Sequence, residues 1–169
     1  MSEVNWEIIT GNGHFFELDE IQGDGDACPT CGQPRQRKEK RKFKAKLFTE
    51  FAKSIADTSR VGKPKLTTNQ LRNFYDVIKA TQNRIVQQPT HLKREDAYRI
   101  EKRRLNLLFS KVHYARANKI PEVFAKFMEE CLKIVTKEKV ENEDREADYE
   151  DFEAFVLTFE AVAGYFGKD

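Results

Sequence analysis

Cysteine is scarce, with three in 169 residues and no spacing that makes a disulfide framework, which points to a reducing compartment. No apolar run approaches the ~20 residues of a membrane span, and the first residues lack the basic-then-apolar layout of a signal peptide. A cytoplasmic protein is expected. Catalytic equipment is equally thin. His14, His91 and His113 stand apart without a companion nucleophile, and no glycine-rich phosphate loop occurs. Carboxylates gather in a connector instead of alternating with pocket-forming apolar residues. The chain therefore reads as a binding or assembly protein and not an enzyme, with no cofactor required.

Charge is abundant but sorted by position. Residues 1–27 hold seven acids and no Lys or Arg, residues 35–65 twelve cations against three acids, residues 91–119 nine against three, and residues 120–169 six against fourteen. A basic middle between acidic ends suits a polyanion or an acidic partner at the centre, and neighbouring copies that meet end to middle.

The chain divides into an N-terminal extension, residues 1–34, and a helical domain, residues 35–169, entered through a basic segment. In the extension, Trp6, Ile8 and Ile9, then Gly11-Asn12-Gly13, then Phe15, Phe16 and Leu18 predict a short hairpin. Cys28-Pro29-Thr30-Cys31-Gly32 has the shape of half a zinc ribbon. The two-residue gap lets both thiolates face one metal, but a closed site takes four ligands and no second CxxC exists. Zinc at Cys28 and Cys31 would need His14 or another chain; otherwise the loop is a degenerate remnant.

All of the remaining pattern is helical. The basic run at residues 35–46 flows into Leu47, Phe48, Phe51, Ile55 and Ala56, predicting a first helix with an overcharged start; a flexible basic tether is the alternative. Residues 65–89 carry the clearest helix. Thr67 and Gln70 make a capping box, Leu66 and Leu71 a hydrophobic staple, and Leu71, Phe74, Tyr75, Ile78, Ile85 and Val86 an apolar stripe, with Arg72 and Lys79 wet on its flank. A third helix, running to about residue 118, buries Ala97, Leu105, Leu108, Val112 and Ala115, with Ile100 and Phe109 at the margin. Its opposite side carries Arg99, Arg103, Asn106, Ser110 and His113 with almost no acid, and Lys111 and Arg116 flank the buried side. Pro121 opens a fourth helix in which Cys131 reads as a small buried hydrophobe. A charged connector, residues 137–151, precedes a last helix striped by Phe152, Phe155, Val156, Phe159, Val162, Ala163 and Phe166. The fold class is all-α, a compact bundle of about five helices.

Three of these stretches resemble the small helical subunit of the type III-A CRISPR effector, the Csm complex. Leu66, Thr67, Gln70, Leu71, Arg72 and Phe74 follow that family's Leu-Thr-x-x-Gln-[Ile/Leu]-Arg-x-Phe opening. Lys111, Tyr114 and Arg116 stand in a stretch similar to its Lys-Leu-x-Tyr-x-x-[Gly/Arg]. Phe152-Glu153-Ala154-Phe155 through Phe159-Glu160-Ala161 to Tyr165 is similar to its closing helix. The likeness spans about residues 45–166; residues 1–34 have no counterpart. It implies a non-catalytic subunit of an antiviral complex, stacked in several copies along the inner filament beside the guide–target duplex. Its implied partners are guide and target RNA, the backbone protein, the large polymerase-like subunit and further copies of itself.

A subunit of that kind holds backbone phosphates and leaves sequence to base pairing. The candidate phosphate ligands are Lys42, Lys44 and Lys46 on the basic entry and Arg72, Lys79, Arg99, Arg103, Lys111 and Arg116 on the helices. Two competing readings are a DNA-binding regulator with a zinc-stabilised extension and a scaffold that binds only protein. Against the first, the turn before the third helix holds proline and no glycine.

Overall fold

A computed structural model describes residues 4–10, 15–18, 41–88, 93–117, 119–138 and 146–167. The glycine turn, His14, the CPTC loop, residues 35–40 and His91 lie outside them. The elements are a helical turn α1 (Glu7–Thr10), strands β1 (Phe16–Leu18) and β2 (Arg41–Phe43), a π-helical turn (Leu47–Phe51) continuing into α2 (Ala52–Val61), and α3 (Thr68–Val86), α4 (Arg94–Arg116), α5 (Glu122–Thr136) and α6 (Tyr149–Phe166). The all-helical class and the five principal helices match the sequence pattern.

The core is built on phenylalanine. Phe124 and Phe127 of α5 and Phe152, Phe155 and Phe159 of α6 are all fully buried. Phe159 lies with its ring 6.1 Å from those of both Phe124 and Phe127, while Phe74 of α3 reaches Phe124 at 5.6 Å and Phe51 reaches Phe127 at 6.1 Å. Such tilted and edge-on pairs add to the ~1.5–3 kcal/mol that burying each ring contributes. α2 packs on α6, and Arg60 ties the two by donating to the Tyr165 and Phe166 carbonyls in the last turn of α6. Cys131 is fully buried, and burial pushes its thiol well above the ordinary value, which leaves it inert.

Local signals explain the boundaries. The Thr67–Gln70 capping box forms in full, Gln70 N–H donating to Thr67 Oγ1 at 3.2 Å and Thr67 N–H to Gln70 Oε1 at 2.9 Å, and both staple residues, Leu66 and Leu71, are buried. α6 begins before Phe152 because Asp148 and Asp151 make a second reciprocal box, at 3.1 and 3.0 Å. That start is hidden in the acidic connector, since an aspartate replaces the usual Glu or Gln at the third helical position.

The N-terminal region departs from the predicted hairpin. Residues 7–10 form a helical turn, because Asn5 Oδ1 accepts from Glu7 N–H at 3.1 Å and Thr10 Oγ1 donates back to the Trp6 carbonyl at 3.0 Å. The partner of β1 is instead β2, antiparallel, with Phe16 opposite Phe43 and their rings 5.0 Å apart. The predicted first helix accordingly loses its basic entry: residues 41–43 are strand, and the regular helix α2 follows the π turn, where Ala52 N–H reaches back to Leu47 O. Cations at a helix start oppose its dipole, whereas a strand there gains an aromatic cross-strand pair. Ile9, Phe15 and Phe16 are buried in the same core as the helices.

Candidate nucleic-acid interface

α4 carries polar groups on its buried and its exposed side alike. Its buried side holds Ala97, Tyr98, Glu101, Lys102, Leu105, Leu108 and Val112. Three of these are polar, and each is satisfied. Tyr98 donates its hydroxyl to the Val135 carbonyl, and burial pushes that hydroxyl's pKa far up. Lys102 donates to the Lys137 carbonyl and to Glu146. Glu101 takes 2.8 Å and 2.6 Å hydrogen bonds from Arg84 and Arg104. Burial alone would raise the Glu101 carboxyl, but the two guanidinium bonds outweigh it and hold the group below its ordinary value.

The outward side splits into two bands at about 100° per residue. Arg99, Arg103, Asn106, Ser110 and His113 are all exposed and form one polar band, whose one carboxylate, Glu95 in the first turn, accepts from the Tyr149 N–H at 3.1 Å. Beside it runs an apolar band of Ile100, Leu107 and Tyr114, exposed at 56%, 66% and 69% and spaced seven residues apart. Ile100 thus belongs to the outer face and not to the core margin, since it stands well over a quarter-turn from the buried centre. Val86 of α3 is likewise exposed, at the far edge of its stripe.

The nine sequence candidates fall into two groups. Lys42, Lys46, Arg72, Arg103 and Lys111 are exposed and make no ion pair among the described residues. Arg99 adds a loose pair, 3.9 Å from Glu146. The other three have protein partners. Lys44 donates to the Ile8 carbonyl at 3.0 Å and fastens α1 to the strand pair. Lys79 is half-buried against Glu160 at 2.9 Å, not wet on the flank, and that hydrogen bond raises its ammonium above the ordinary value. Arg116 forks between Glu122 and Glu129 across α4 and α5.

Tertiary structure also brings in residues that pattern reasoning passed over. Arg104 of α4 and Arg84 of α3 share one carboxylate, so the seam between these helices keeps a net positive charge. Lys119, just beyond α4, lies with its ammonium 4.4 Å over the Tyr114 ring and 3.2 Å from the Tyr114 hydroxyl. The exposed apolar band did have a signal, in the spacing of Ile100, Leu107 and Tyr114, which is helical but falls on the wrong side for the core. Among the described residues no group of three His, Cys, Asp or Glu side chains is placed to hold a metal, and no helix is long and apolar enough to cross a membrane.

Comparison with known proteins adds the family. Neither the curated proteins nor the solved structures contain a match to the chain. A family model, Csm2 Type III-A, matches residues 42–167, about three-quarters of the sequence, and includes all three of the resembling motifs. Begun at β2 and ended at the close of α6, the match takes in the whole bundle, and the chain belongs to the Csm2 family, the small subunit of the type III-A Csm complex.

Proposed function

We propose that the chain is a non-catalytic subunit that stands in several copies along the inner filament of a cytoplasmic, antiviral RNA-guided effector and holds guide and target RNA by their backbones. The observation that carries this reading is the acid-poor outer band of α4, where Arg99 and Arg103 stand among Asn106, Ser110 and His113 and the one carboxylate, Glu95, accepts from the Tyr149 N–H. Cations already neutralised by a carboxylate gain little from a phosphate, so the unpaired set of Lys42, Lys46, Arg72, Arg103 and Lys111, with Arg99, is the phosphate-binding set. Lys44, Lys79 and Arg116 act first as structural ties. The segregation of acid to the ends and base to the middle supports contact between copies, and with the backbone protein and the large polymerase-like subunit.

The test is a filter-binding titration of the full chain with unrelated RNA sequences, single-stranded and duplex, at several salt concentrations. Six phosphate contacts give a log–log slope of about −4 to −5, with affinities alike across sequences. A scaffold that binds only protein would retain no RNA at low salt, and a strong sequence preference would point to a base-reading regulator.

A further inference from the structure

Where α4 turns toward α5, the seam between α3 and α4 opens into a pocket of about 250 Å³. Phe74, Val77, Leu108 and Ile120 make its apolar lining, and Asn73, Lys111, Tyr114 and Lys119 stand among its polar or amphipathic wall residues. No acidic residue lines it, while two lysines stand on its wall. Asn73 is exposed and makes no hydrogen bond among the described residues, so its amide is free to donate and accept. Tyr114 is not folded over the apolar floor; it stands 69% exposed, braced by Lys119.

The volume decides the class of occupant. Pockets that take a whole drug-sized molecule measure ~300–1,000 Å³, so this one takes a single flat ring system belonging to something larger. The occupant must present apolar faces to Phe74 and Leu108, hydrogen-bonding edges to Asn73, and a nearby anion to Lys111 and Lys119. An apolar protein side chain meets the first requirement and leaves the other two unmet.

We propose that this pocket seats the base of one unpaired RNA nucleotide, whose phosphate is held by Lys111 and Lys119. The inference rests on the RNA-backbone reading above and adds to it one base contact and, in Lys119, one further phosphate ligand. Every base offers the same flat face, so the seat is compatible with indifference to sequence.

The test compares, on the full chain, a short single-stranded RNA with the same strand made abasic, which keeps every phosphate and removes every base. The intact strand should bind about ten-fold more tightly, the scale of one base contact of this kind. An aminopurine in the strand should report the seat through a fluorescence change on binding. Ala115→Trp, which fills the pocket from its wall, should abolish the preference for the intact strand and the fluorescence change while leaving the salt slope unaltered. Equal affinity for intact and abasic strands overturns the pocket proposal while the backbone reading stands, and leaves the pocket to a side chain of a protein neighbour. Failure of both strands to bind at low salt overturns both readings.

Discussion

Glu101 of α4 accepts a 2.8 Å hydrogen bond from Arg84 of α3, and the same carboxylate, 3% exposed, takes a second from Arg104. Two guanidinium groups on one buried carboxylate do two things at once. They lock α3 against α4, and they leave an uncompensated positive charge along the seam that leads to the pocket.

Replacing this carboxylate should cost stability and flatten its dependence on pH. The Glu101 value lies below the unfolded one, so its contribution is complete above an unfolded pKa of ~4.3 and is lost as pH falls through the folded value. Glu101→Gln should lower stability near neutral pH by about 1–2 kcal/mol, a figure reduced because both arginines are more than a third exposed. Thermal melts followed by circular dichroism, from about pH 7 to about pH 3, should show the wild type losing its advantage on acidification. Parallel curves would show that the carboxylate does not titrate as a clamp.

Adjacent leucines on α4 should behave in opposite ways. Leu108 is 1% exposed and Leu107 66% exposed. Leu108→Ala should cost about 2–5 kcal/mol through the cavity it leaves, whereas Leu107→Ala should stay within about 0.5 kcal/mol. Urea denaturation of the two variants checks the orientation of the helix, and similar losses would contradict it.

Charge reversal should separate free cations from paired ones. Arg72→Glu, Arg103→Glu and Lys111→Glu should each weaken RNA binding and reduce the salt slope by about 0.7–0.9 for every phosphate that the variant no longer neutralises. Arg116→Glu should alter the slope least, because Arg116 already lies between Glu122 and Glu129. Slopes that rank Arg116 first would invert the assignment.

The CPTC loop yields a separate measurement. If Cys28 and Cys31 hold zinc, elemental analysis should find about one ion per chain or per pair of chains, and the Cys28→Ser, Cys31→Ser double variant should lose it together with some thermal stability. Metal-free wild-type protein with the same melting curve as the variant would assign the loop no metal.

Much of the fold was open to reading because helix signals are local. The Thr67–Gln70 box, the leucine staple and the phenylalanine spacing of α6 each act within a few residues, and each appears where the pattern put it. Family membership was open for the same reason, since its motifs are a cap and two striped helices. The strand pair was not, because Phe16 and Phe43 are 27 positions apart and their pairing has no periodicity to betray it.

The sequence by itself determined the helical class, most helix boundaries, the buried stripes and the supply of cations. Only the tertiary structure decided which cations remain available. Lys79 and Arg72 share one helix and look alike in sequence, yet Lys79 meets Glu160 from α6 while Arg72 meets no acid among the described residues. A charge is neutralised by whatever carboxylate packing brings within about 4 Å, and helical periodicity says which way a side chain faces but not what faces it.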